Sequence, residues 1–191
     1  MAQRAFLTRF ALHRRPSTGD MMSTSFLIST VLAAGSGIVL AGCVAPVTAD
    51  THSIEPPSAT RVMAATASGV QIYSCEFDAQ RHLGWVFRNP QATLYDANGV
   101  AIIQHGAGPS WEADDGSRIV GHAIAQKPSE TPGSVPQLLL ATHSTGGPGA
   151  LSSITYVQRV DTVGGAMPAR PCSVEHQTGS SAYFARYVFY R

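Results

Sequence analysis

The sequence predicts an all-β protein: a single sandwich or barrel of about eight or nine short antiparallel strands, with one disulfide. Three observations carry that prediction. Apolar residues recur at every second position through VQIYSCEF (Val70–Phe77), ITYVQRV (Ile154–Val160) and AYFARYVFY (Ala182–Tyr190), the period of a strand with one buried face. Eighteen glycines and twelve prolines are many for a helical chain of 191 residues and usual for a turn-rich β fold. No amphipathic helix of ten or more residues can be drawn anywhere after the apolar leader.

Taken in order, Val70–Phe77 reads as a strand whose buried face is Gln71, Tyr73, Cys75 and Phe77. Leu83–Arg88 is a second strand, expected to end at Asn89-Pro90. Ala92–Tyr95 and Val100–Ile103 flank Asp96-Ala97-Asn98-Gly99, a hairpin signal because Asn-Gly tolerates positive φ. His105 to Arg118 follows, with three glycines, a proline, a tryptophan and three carboxylates; it is expected to be an ordered loop around which the chain is organised. Ser117–Ala125 resumes a strand in which Gly121 marks a bulge or a close approach. Lys127–Pro136 is a loop, Leu138–Thr142 a buried strand or one helical turn, and Ser144–Gly149 another loop. The alternating Ile154–Val160 and Ala182–Tyr190 complete the count. The aromatic C-terminal strand should be paired on both sides, since an exposed one would invite aggregation.

Ahead of the domain lies a leader. Arg4, Arg9, Arg14 and Arg15 precede a fifteen-residue apolar run, Phe26–Leu40. That is short of the ~20 residues a membrane span needs and suits the apolar segment of a secretory signal. Leu40-Ala41-Gly42-Cys43 directly follows, similar to a bacterial lipoprotein signal in which the cysteine is lipidated. The alternative is ordinary cleavage after Val47-Thr48-Ala49, which would discard Cys43. The expected organisation is a signal peptide over 1–42, a lipidated Cys43 with a flexible Pro/Thr/Ser-rich tether over 43–61, and a β domain over 62–191. The expected location is outside the cytosol, periplasmic or anchored to the outer membrane through the lipid.

Export gives Cys75 and Cys172 a meaning. They are the only cysteines in the folded part, and in an oxidising compartment an even pair is most simply a disulfide; two buried free thiols are the alternative. A bridge closing about 100 residues would contribute roughly 4–5 kcal/mol in the chain-entropy view. With only 13% charged residues, a net charge of +1 and no basic stripe, no nucleic-acid partner is expected.

Five spaced motifs in order carry a resemblance: Gln71-Ile72-Tyr73-Ser74-Cys75; Gly84-Trp85-Val86-Phe87; His105 with Gly108-Pro109 and Trp111-Glu112; Asp115-Gly116-Ser117; and Gln158-Arg159-Val160 with Thr162, Gly164-Gly165, Pro168 and Cys172. From about residue 62 to the end, the chain resembles domain-of-unknown-function family 3455, exported domains of bacteria and fungi. The resemblance implies an all-β fold and supplies no activity or catalytic residue. One departure stands out. Where the family pattern has Ile-Pro-Trp-Leu-Leu, this chain has Val135-Pro136-Gln137-Leu138-Leu139, so a ligand site lined by that tryptophan would be altered here.

Two constellations compete for a function. Trp111, beside Pro109 and flanked by Glu112 and Asp115 with His105 near, has the make-up of a sugar platform, an aromatic face with carboxylates to accept hydroxyl protons. Its bland counterpart is a tryptophan that plugs one end of the barrel. Alternatively His105, Glu112, Asp115 and His122 would hold a metal ion, for binding or hydrolysis, if they converged in space; the spacing matches no established ligand signature. Ser110 and Ser117 lie near His105 and Asp115, yet no G-x-S-x-G elbow is present. The expectation is therefore a non-catalytic envelope module with no cofactor, partnered by the membrane through its lipid and by a glycan or other envelope component. The rival is the metal protein.

Overall fold

The computed structural model describes residues 53–191, so the leader, Cys43 and most of the tether lie outside the described residues. Eight strands follow in chain order: β1 (Arg61–Phe77), β2 (Leu83–Tyr95), β3 (Ala101–Gly106), β4 (Ser110–Ala113), β5 (Arg118–Lys127), β6 (Gln137–Ser144), β7 (Tyr156–Gly164) and β8 (Thr178–Tyr190). Each pairs antiparallel with the next, and β8 returns to β1, so the sheet closes into an up-and-down barrel with no free edge. The expected all-β class, the strand count and the barrel alternative are what is found. Cys75 and Cys172 form the disulfide, with Cα atoms 5.8 Å apart.

Several elements differ from expectation. Leu83–Arg88 and Ala92–Tyr95 are one strand, because β2 runs straight through Asn89-Pro90. The register against β1 slips at Ile72/Tyr73, and Pro90 lies beyond the end of β3 at Gly106, so its missing N–H breaks no ladder bond there. The stretch His105–Arg118 is not one ordered loop. His105 lies within β3, Ser110–Ala113 forms β4, and only two short turns remain. Glycine and proline interrupt the segment only between β3 and β4 and between β4 and β5. The Asp96–Gly99 hairpin is as expected: the Asp96 carboxylate accepts the amides of Asn98 and Val100, and Gly99 takes φ 79°.

The barrel interior alternates along each strand as the periodicity requires. On β8, Tyr183, Ala185, Tyr187 and Phe189 all point inward and are buried, and both edges of the strand are paired. The neighbouring strand is thin. Ala65, Ala67 and Gly69 on β1 lie beside Tyr187, Ala185 and Tyr183 of β8, and on the other side a Cβ at Gly69 would meet the Ala92 Cα of β2 at 2.5 Å. Small residues there leave room inside the barrel for the aromatic rings of β8. One face of β7 is covered from outside as well: Ile54, in the segment expected to be tether, packs on Leu139, Val160 and Val188, and its carbonyl accepts a bond from Gln158. The chain is thus held against the barrel from Ile54 onward.

The two ends of the barrel are unlike. At the end carrying the β2–β3, β4–β5 and β6–β7 connections, Leu151 and Ile154 drop from the β6–β7 loop into the core and close it. The Asp115–Ser117 turn pins that loop, since the Asp115 carboxylate accepts the Ala150 amide and the Ser117 hydroxyl, and Ser117 Oγ accepts the Leu151 amide. The other end, carrying the β1–β2, β3–β4, β5–β6 and β7–β8 connections, stays open.

Candidate functional site

That open end leads into a cavity of about 660 Å³. Its walls are mainly apolar (Phe87, Pro90, Leu138, Leu140), with rim residues from the β3–β4 and β5–β6 connections. Eight-stranded barrels have interiors just wide enough either to fill with side chains or to hold one small ligand. Here one half is filled and the other is not. The β7–β8 connection braces the rim: Tyr73 donates its hydroxyl to the Gly165 carbonyl at 2.6 Å, Trp85 donates to the Arg170 carbonyl at 2.8 Å, and Cys75 is bonded to Cys172.

The floor is an aromatic stack. His105 on β3 lies directly opposite Trp111 on β4, and their rings stack at 4.6 Å with 10° between planes. Tyr187 meets both edge-on, at 5.2 Å and 6.0 Å. Gly121 makes this possible, as the close approach expected of it: a Cβ there would sit 3.2 Å from the indole. His105 Nδ1 is 2.8 Å from the Ser110 carbonyl, which can only accept, so the Nδ1–H donates and Nε2 carries the lone pair. Burial pushes the imidazole down to about 4, with the bond to Ser110 opposing and the nearby Arg159 charge adding to the shift, so the ring is neutral at pH 7.

Three polar groups in the lining lack a full complement of partners. Gln71 Nε2 and Trp111 Nε1 are buried with no hydrogen-bond partner among the described residues. An orphaned buried donor costs about 1–3 kcal/mol, so two on residues that line one cavity need a reason. Arg159 is the third. It is 9% exposed, sits on β7 between Leu138 and Tyr187, and spends Nε and Nη2 on the Pro136 carbonyl at 3.2 and 2.8 Å. Among the described residues no carboxylate comes within 4.0 Å of it.

The residues singled out from sequence separate. His105 and Trp111 come together inside the barrel, Trp111 fully buried in the plug position rather than displayed on a surface. Glu112 points outward from β4 and is exposed, as is His122 on β5. Asp115 is committed to its turn, and the Ser117 hydroxyl, the Ala150 amide and the Ser117 amide hold its carboxyl below the usual range. His105, Glu112, Asp115 and His122 therefore do not converge as a ligand set. The described residues that do bring three potential ligand atoms together are Glu76, Glu175 and His176, on the outside near the disulfide, where Glu76 is already paired with Arg88. Among the described residues neither serine pairs with His105: His105 contacts the carbonyl of Ser110, and Ser117 Oγ is bonded to Asp115 and Leu151.

Sequence reasoning passed over Gln71 and Arg159 as site residues, though a signal existed for each. Gln71 shares the buried face of β1 with Tyr73 and Cys75, and Arg159 shares the inward face of β7 with Val157. A glutamine or arginine on an apolar face needs a partner, and that need is the signal.

A family model described as a protein of unknown function, DUF3455, matches residues 56–191. The chain belongs to the DUF3455 family. No curated protein and no solved structure matches it. The motifs that carry the resemblance to DUF3455 supply much of this cavity: Gln71 and Tyr73 from the first, Phe87 from the second, His105, Pro109 and Trp111 from the third, Arg159 from the last. The departure at Gln137 falls elsewhere. Its side chain is turned away from the barrel interior into a smaller cleft of about 200 Å³ beside Asp161 and Thr162, while its neighbour Leu138 lines the large cavity.

Proposed function

We propose that this DUF3455 member is an exported, non-catalytic module that binds a small, largely apolar molecule in the open half of its barrel. The observation that carries this reading is the cavity of about 660 Å³ with apolar walls, one closed end and a few convergent polar groups, the ordinary form of a small-molecule site. Its floor is preorganised by the His105–Trp111 stack, so binding there needs little side-chain ordering. The disulfide suits an oxidising compartment, and Cys43 after the apolar run supports anchoring to the envelope by a lipid. The polar groups hold no nucleophile–base pair, which supports binding over catalysis.

Calorimetric titration with 2-naphthol and with 1-decanol tests the pocket. Saturable binding with a negative heat-capacity change, lost when Ala123→Phe fills the rim, is the expected result. Binding that survives Ala123→Phe would place the ligand outside the barrel and refute the reading. For the anchor, labelled palmitate should enter the protein in its bacterial host and fail to enter the Cys43→Ala variant.

A further inference from the structure

The cavity carries an unbalanced charge. Burying a guanidinium away from a counter-ion is costly, and a neutral residue of similar shape would tie down the Pro136 carbonyl at lower cost. Arg159 does hold that carbonyl, but this accounts for only part of its five N–H donors and for none of its charge. Rim charge offers no compensation, because Glu76 is engaged by Arg88, His176 and the Ser74 hydroxyl.

The other unpartnered groups are of the same kind. Gln71 Nε2 and Trp111 Nε1 are both N–H donors, and their residues line the same cavity as Arg159. Strand order disposes them around the lumen: Gln71 is on β1, Trp111 on β4 and Arg159 on β7, spread about the circumference. Two buried donors without acceptors and one cation without an anion ask for a single complementary thing, an anionic acceptor with more than one oxygen.

We infer that the ligand of the DUF3455 barrel is an apolar molecule bearing a carboxylate, whose oxygens take the N–H groups of Arg159 and Gln71, with the Trp111 indole N–H, while its hydrocarbon part lies against Phe87, Leu138 and Leu140. The inference rests on the barrel being a binding pocket and goes further by naming the ligand's chemistry. A carboxylate fits the planar guanidinium fork, and the neutral His105 adds no competing charge to the floor. The apolar part is either a flat ring system, which the aromatic lining would stack against, or an alkyl chain. Both share the head-group chemistry.

The test uses the full chain and two matched pairs, 2-naphthoate against 2-naphthol and decanoate against 1-decanol, titrated at pH 7. The expected result is a preference for the acid on the order of tenfold in at least one pair, falling to about one in Arg159→Gln, which can still bond the Pro136 carbonyl, and kept largely by Arg159→Lys. Gln71→Leu, away from the β5–β6 loop, should lower the acid's affinity several-fold, so a misfolded Arg159 variant does not leave the proposal unexamined. The pair that shows the preference identifies ring or chain. If acids and neutral partners bind alike, the carboxylate is refuted and the pocket survives. If none of the four binds, the pocket reading fails and the carboxylate with it.

Discussion

Lowering the pH from 7 to 4 should weaken the barrel through His105. In the folded state burial holds the imidazole at about 4, while the unfolded chain has the ordinary value of 6.5. Above pH 6.5 both states leave it neutral, and the fold loses nothing. Between 6.5 and 4 the unfolded chain takes up a proton that the folded one refuses, so the His105 contribution falls with pH throughout that window and levels off below it. About 2.5 pH units at 1.36 kcal/mol per unit gives roughly 3 kcal/mol, a large fraction of the ~5–15 kcal/mol typical of a domain. Urea denaturation followed by far-UV circular dichroism at half-unit pH intervals measures it. His105→Phe keeps a ring against Trp111 but removes the titrating nitrogen, so its stability should start lower, with the Ser110 carbonyl unpaired, and run flat over the same window. Asp96, Asp115 and Glu76 also have lowered values, so the stability they contribute is lost at lower pH, as it falls through their folded values. Parallel slopes for wild type and His105→Phe between pH 6.5 and 4 would refute a buried neutral imidazole.

Three further outcomes follow from the same packing. Trp111→Ala removes a fully buried ring in contact with His105, Tyr187 and Phe189, and should cost about 3–5 kcal/mol by urea denaturation. Replacing Cys75 and Cys172 together by serine opens a link across 97 residues and should cost roughly 4–5 kcal/mol, while the unreduced wild-type protein should show neither thiol to a thiol reagent. Asp115→Asn should loosen the β6–β7 plug, seen as faster hydrogen exchange at the Ala150 and Leu151 amides with the rest of the barrel unchanged.

The fold was legible because its signals are local. Period-two alternation separated the two faces of β8, Asn98-Gly99 placed a hairpin, and Cys75 with Cys172 placed the bridge. The errors came where a neighbouring strand overrides a local breaker. Pro90 passes within β2 because β3 has already ended, and Trp111 lies in a strand because Ile119 and His105 pair with it from either side. The site was half legible. Its aromatic floor lies in the chemically rich His105–Arg118 stretch, but alternation sends Glu112 outward and a turn consumes Asp115. Gln71 and Arg159 lie 88 positions apart, and only closure of the barrel brings them to one cavity.

The two tryptophans allow the most direct test. Trp111, which lines the cavity, has a buried, unpartnered indole N–H, whereas the Trp85 indole is already bonded to the Arg170 carbonyl at the rim. In a nitrogen-15 spectrum of the full chain titrated with 2-naphthoate and with decanoate, the Trp111 indole and the Gln71 amide should shift together with one saturation curve in at least one titration, and the Trp85 indole should stay near its starting position. A shift confined to Trp85, or none at Trp111 and Gln71 with either acid at saturation, would contradict a carboxylate bound inside the barrel.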